Sequence, residues 1–116
     1  MDVLVLLSLL LNVVVLVPVT GGLVMGARWV ELAYGPPTAA RGILLAVYLA
    51  ILITSVALLF RPEAPMVFAL LSVQIIYKII SAMTVGTLRN PVVASNLAIA
   101  AFHAVTCMAL LSNGLG

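Results

Sequence analysis

Four apolar stretches, each long enough to cross a lipid bilayer, account for most of this chain. The first runs from about Val3 to Met25 without a charge, and the second from about 39 to 60 with Arg41 in its first turn. The third runs from about 66 to 85 and the fourth from about 91 to 111. Because roughly 20 apolar residues cross a ~30 Å hydrocarbon core, the pattern predicts four transmembrane helices.

The backbone of a chain in lipid must satisfy its hydrogen bonds internally, which only helices and closed barrels achieve. The connections predicted near residues 26–38, 61–65 and 86–91 are too short to form a barrel. We therefore expect an all-α fold, an integral membrane four-helix transmembrane bundle with short loops. It forms one domain over residues 1–116 and contains no strand.

Composition excludes a water-soluble domain. Of the 116 residues, 66% are hydrophobic and 7% are charged, whereas about a quarter of the residues of a soluble domain are charged. Five basic residues against three acidic ones are too few for a nucleic-acid-binding surface. The single cysteine, Cys107, excludes an internal disulfide and a cysteine-rich metal site.

Two of the expected helix starts carry capping residues. Thr38 precedes the second span, and Asn90 precedes Pro91 at the start of the fourth. The first span could instead be a cleaved signal peptide. Asp2, where a signal peptide needs positive charge, and the long apolar run that follows favour a retained helix.

The basic residues favour one orientation in the membrane. Arg28, Arg41 and Arg89 belong to the first and third connections or the nearby helix start, whereas the second connection has only Arg61. Cytoplasmic loops carry an excess of Lys and Arg, so we expect both termini outside. The chain has the general character of small bacterial four-span proteins, and we expect it in the bacterial inner membrane.

Polar residues form one stripe on each of the last two helices. Gln74, Lys78 and Ser81 follow i, i+4, i+7 spacing on the third, and Asn96 and His103 are seven residues apart on the fourth. An antiparallel hairpin would bring these stripes level. Because a charge at membrane depth costs about 2.5–3.5 kcal/mol, we predict that these five residues form an inward-facing polar binding cluster.

Lys78 has several possible environments. Its side chain could snorkel to the interface near Gly86, or its amine could be held neutral inside the bundle. Its partner could also be Glu31 folding in from the first connection, a lipid phosphate, or a carboxylate of another chain.

Structural interpretations of the remaining polar and small residues are simpler. Membrane helices use Ser and Asn as interhelical hydrogen-bonding groups, which would explain Ser8, Asn12, Ser55 and Asn96. His103 could be a hydrogen-bonded core histidine. Close helix packing is expected at small residues, namely the GxxxG pair Gly22 and Gly26 and the ladder Ala94, Ala98 and Ala101.

Templates for catalysis are missing from the chain. We find no paired carboxylates, no Cys/His metal set, no glycine-rich phosphate loop and no HExxH. We therefore expect no enzymatic activity, no metal and no cofactor.

In length and span number the chain resembles the small multidrug resistance exporters, four-span proteins that work as dimers with a membrane-embedded glutamate in the first helix. The likeness covers architecture only. The first span here has Ser8 and Asn12 but no acid, so the proton and cation exchange of that family is assigned to no residue.

Three functions fit these features. The leading one is a structural or accessory subunit of a larger membrane complex, in which a partner chain could supply an acid for Lys78. The others are a small oligomeric transporter or channel that uses the polar cluster, and a bundle that binds a lipid or a quinone-like molecule. In every case the partners are the bilayer and a protein or second copy within it, with no nucleic acid.

Overall fold

The computed structural model describes residues 3–114, so that Asp2 lies outside the described residues. The helices are α1 (Val3–Met25), α2 (Arg28–Tyr34), α3 (Ala39–Phe60), α4 (Ala64–Val85) and α5 (Pro91–Ser112). No strand occurs between residues 3 and 114. The prediction of an all-α bundle is confirmed, and α1, α3, α4 and α5 are each long and apolar enough to span a membrane.

Helix ends follow the sequence signals. The Thr38 hydroxyl accepts a hydrogen bond from the Arg41 backbone N–H at 3.2 Å. The Asn90 side-chain oxygen accepts one from the Val92 N–H at 2.9 Å. Each bond satisfies one of the N–H groups that the first turn of a helix leaves without an intrahelical partner. Both capping predictions are confirmed.

The short helix α2 lies in the connection that the sequence predicted as a loop. Its Val30 side chain is fully buried, whereas Trp29 and Leu32 are exposed. Gly26 before it and Gly35 after it have φ of 67° and 89°, which glycine adopts without steric cost. The two glycines thus let the chain turn into α2 and out of it again.

Gly22 is the point at which α2 packs against α1. A Cβ atom on Gly22 would lie 2.7 Å from Val30 Cγ2 and 2.8 Å from Trp29 Cζ2. Glycine is therefore needed here for close packing, as predicted. Gly26 differs from the prediction, because nothing lies within 4 Å of its Cβ position. Its role is to supply the turn after α1.

Each spanning helix buries one narrow stripe and exposes the remainder. On α4 the buried residues are Val67, Leu71, Gln74 and Lys78, a spacing of four, three and four that keeps one helix face inward. The exposed face is apolar, with Val73, Ile76, Ile79 and Ile80 among its members. An apolar exterior around a partly polar interior suits a helix surrounded by lipid.

The described chain falls into two compact units. Within the described residues, one comprises residues 3–8 and 61–114, and the other comprises residues 9–60. In the first unit, α4 and α5 pack against each other as an antiparallel hairpin. In the second unit, α2 packs on the end of α1, and α3 follows.

We predict that Gly22→Ala destabilises the protein by about 1–3 kcal/mol, because the added methyl group overpacks the contact with Val30 and Trp29. The matched control is Gly21→Ala, one residue earlier, whose Cβ would meet nothing within 4 Å. Replacement of Gly21 should be neutral or stabilising, since alanine favours helix over glycine by about 1 kcal/mol. Denaturation in detergent micelles measures both. Equal stability of the two variants would contradict the packing role of Gly22.

Candidate functional site

Every spanning helix has at least one polar side chain in its buried stripe. The buried polar side chains are Ser8, Asn12, Thr20, Ser55, Gln74, Lys78, His103 and Thr106. Burial of a polar group in a membrane protein is costly unless the group is hydrogen-bonded. Those that have hydrogen-bond partners can stabilise the fold, whereas those without partners destabilise it.

Most of them are partnered. In the first unit, the hydroxyls of Ser8 and Thr106 share a hydrogen bond of 2.6 Å. In the second unit, the Asn12 side-chain amide donates to the Ser55 hydroxyl at 3.1 Å. Thr20 donates to a carbonyl of its own helix at 2.7 Å. The interpretation of Ser8, Asn12 and Ser55 as interhelical hydrogen-bonding groups is confirmed.

Gln74 and His103 are buried without a hydrogen bond. Gln74 is 1% exposed and its Nε2 has no partner; His103 is 0% exposed and neither ring nitrogen has one. The backbone of Ser8 faces the imidazole, but without the geometry of a hydrogen bond. An unsatisfied buried donor or acceptor costs about 1–3 kcal/mol. His103 is therefore not the hydrogen-bonded core histidine that the sequence also allowed.

Lys78 is buried as well, at 5% exposure. A snorkelling lysine would extend along the outer face of its helix, so this burial rules out that prediction. The ammonium nitrogen lies 5.7 Å from the centre of the Tyr77 ring, a cation–π contact worth about 0.5–2 kcal/mol. The cost of about 2.5–3.5 kcal/mol for a lysine at membrane depth is larger. The aromatic contact offsets only part of it.

Within residues 3–114 no carboxylate forms an ion pair with Lys78. Glu31 in α2 and Glu63 before α4 are both exposed. The described residues hold no group of three His, Cys, Asp or Glu suited to a metal ion.

The structure places three of the five predicted site residues together in the α4–α5 hairpin. Gln74 and Lys78 are one turn apart on the buried face of α4. The His103 ring of α5 lies within electrostatic range of Lys78. We call Gln74, Lys78 and His103 the hairpin cluster. Their binding role stays a prediction.

The other two predicted residues lie at the edge of the hairpin cluster or beyond it. Ser81 is half-buried and donates to the backbone carbonyl of Lys78 at 2.7 Å, so that its hydroxyl serves its own helix. Asn96 is half-buried. The site is therefore narrower than the sequence predicted, because each helix turns only a limited arc toward the interior.

Thr106 is a buried polar residue that the sequence prediction omitted. It is 0% exposed and bonds to Ser8. It follows His103 by three residues and thus lies on the same stripe. This spacing is the sequence feature from which its burial could have been predicted. Its partner on α1 could not be found from spacing, because spacing describes only one helix.

The predicted packing ladder on α5 lies on the outside of the chain. Ala94, Ala98 and Ala101 are all exposed, and their i, i+4, i+7 spacing puts them on one face. In a membrane, small residues on a helix face permit the close approach of another helix.

Comparison of the chain with models of protein families, with curated proteins and with solved structures found no match.

We predict opposite stability effects from two polar-to-apolar substitutions. Gln74→Met removes an amide nitrogen that has no partner, and should stabilise the protein by about 1–3 kcal/mol. Asn12→Leu removes one end of the Asn12–Ser55 bond, and should cost about 0.6–1.7 kcal/mol. Denaturation of both variants in the same detergent provides the comparison. Similar destabilisation by both would mean that Gln74 is bonded as Asn12 is.

Proposed function

We propose that the chain is a small oligomeric transporter or channel whose solute contacts the hairpin cluster. The observation that carries the proposal is that Gln74 and His103 are buried beside Lys78 with their hydrogen-bonding groups unpartnered. Partnered side chains such as Ser8 and Thr106 stabilise the fold. Unpartnered ones destabilise it, so their presence calls for a role other than packing.

Oligomer formation is supported by the exposed face of α5. A 116-residue chain encloses little space by itself, and its outer surface carries Ala94, Ala98 and Ala101 on one face. A second copy could approach closely along that face.

A structural or accessory subunit of a larger complex is the second candidate, favoured by the same exposed alanine face. In that case the alanines would contact a different chain. The environment of Lys78 supports this candidate less well. A lysine that is 5% exposed within its own chain is poorly placed to meet a carboxylate on the outer surface of a partner helix.

The transport proposal predicts flux that depends on the hairpin cluster. Purified protein in phosphatidylcholine vesicles should take up one or more labelled solutes from a panel of chloride, pyruvate and rubidium, faster than protein-free vesicles do. His103→Leu should lower that uptake by about tenfold, equivalent to ~1.4 kcal/mol. The matched control, Cys107→Ala, lies one turn further along the buried stripe of α5 and should retain it.

Uptake equal to that of protein-free vesicles, for all three solutes, would contradict transport. Purification from native membranes would then identify the second candidate, since an accessory subunit should be recovered with a partner chain at fixed stoichiometry.

We further propose that the protein lies in a bacterial inner membrane with both termini outside. This orientation places Arg28, Arg41 and Arg89 at the cytoplasmic face. In a Cys107→Ala background, a membrane-impermeant thiol reagent should label Glu63→Cys in intact cells. It should label Leu88→Cys, which leaves Arg89 in place, only after lysis. Labelling of Leu88→Cys in intact cells would reverse the topology.

A further inference from the structure

The hairpin cluster has a definite sign of charge. Lys78 is the only Lys, Arg, Asp or Glu that is buried among the described residues. Its ammonium group has three donors and no acceptor. In the low dielectric of a membrane interior the charge attracts anions and repels cations strongly. A solute that reaches the cluster therefore meets a positive centre.

The two neighbouring side chains add donors to this centre. The unpartnered Nε2 of Gln74 belongs to an amide group with two N–H bonds, and an imidazole carries at least one N–H in either charge state. Oxygen atoms with several lone pairs accept from such donors, and a carboxylate has two of them, with about four acceptor sites. Side chains of α4 and α5 thus offer donors to the same kind of ligand.

No carboxylate of the described residues forms an ion pair with Lys78 in the hairpin cluster. Glu31 and Glu63 are exposed, and no ion pair neutralises the buried Lys78. The polar groups of α1 and α5 next to the cluster, Ser8 and Thr106, are bonded to each other. The described residues therefore present no anionic acceptor to Lys78.

We propose that the hairpin cluster binds a small monovalent carboxylate, held by the ammonium of Lys78 and by N–H groups of Gln74 and His103. The ligand is a free solute, because the cluster is buried within a single chain, where a partner's side chain has poor access. Its entry would neutralise the buried charge and provide acceptors for the Gln74 amide and for one N–H of His103. This assignment rests on the proposed transport function and names its substrate class.

Uptake into phosphatidylcholine vesicles, which carry no net lipid charge, tests the assignment with radiolabelled pyruvate and rubidium as probes. Pyruvic acid is a strong enough acid that almost all of it is ionised at neutral pH. Very little therefore crosses the lipid as the neutral acid without the protein. We expect pyruvate to enter at least about tenfold faster than rubidium, a difference of ~1.4 kcal/mol in barrier height. Lys78→Met should abolish the pyruvate uptake, whereas Lys78→Arg should retain it because the charge and donors persist.

The charge-matched control is Arg89→Gln, which removes a positive charge from an exposed position in the α4–α5 connection and should leave pyruvate uptake unchanged. Loss of uptake in both Lys78→Met and Arg89→Gln would overturn the cluster as the binding site. Lys78→Met removes a buried charge and could therefore alter folding as well as binding. Elution as a single species of wild-type size verifies that the variant is folded.

Three further outcomes distinguish failure of the carboxylate assignment from failure of the proposed transport function. Rubidium uptake that exceeds pyruvate uptake and depends on His103 would overturn the carboxylate assignment and leave transport standing. Chloride uptake without pyruvate uptake would also overturn it. The absence of any protein-dependent flux would contradict transport itself, and with it the carboxylate as a transported substrate.

Discussion

The structure depends on the lack of water in the hydrocarbon core of the membrane, where each buried polar group must find its partner within the protein. The backbone meets this requirement by forming helices, and the first-turn N–H groups are partly satisfied by caps such as Thr38 and Asn90. Most of the buried polar side chains follow the same rule, with Gln74 and His103 as exceptions. Ser8 bonds to Thr106 and Asn12 bonds to Ser55, so that helices distant in sequence are joined where lipid offers no alternative partner.

Lipid tails are about as apolar as leucine, so burial of apolar surface contributes little to holding membrane helices together. Close packing and interhelical hydrogen bonds must do so. This explains the importance of Gly22, where the absence of a side chain lets Val30 and Trp29 approach α1. It also explains why the outer faces remain rich in Val and Ile, since those residues lose nothing by facing lipid.

The spans were predictable because each one is a long, predominantly apolar segment whose ends carry proline, glycine or charge. α4 begins at Ala64, slightly before the predicted start near residue 66, since Pro65 is tolerated in the first turn of a helix. α2 was not predictable, because a seven-residue helix owes its stability to docking at Gly22. The stripe of Gln74 and Lys78 follows from the period of one helix. The bond of Thr106 to Ser8 depends on how two helices are rotated, which sequence spacing does not encode.

The interior location of Lys78 supports the transport proposal better than it supports an accessory role. A lysine on an outer face would invite a carboxylate from a partner helix, as in a subunit held within a larger assembly. At 5% exposure, Lys78 is instead surrounded by its own chain, beside Gln74 and His103, whose buried nitrogens have no hydrogen-bond partner. The Tyr77 ring offsets part of the cost of its charge, and no described acid offsets the remainder. A permanent counter-ion within the chain would occupy Lys78 and compete with any solute. A buried charge without such a counter-ion is therefore better suited to reversible binding than to a fixed structural contact.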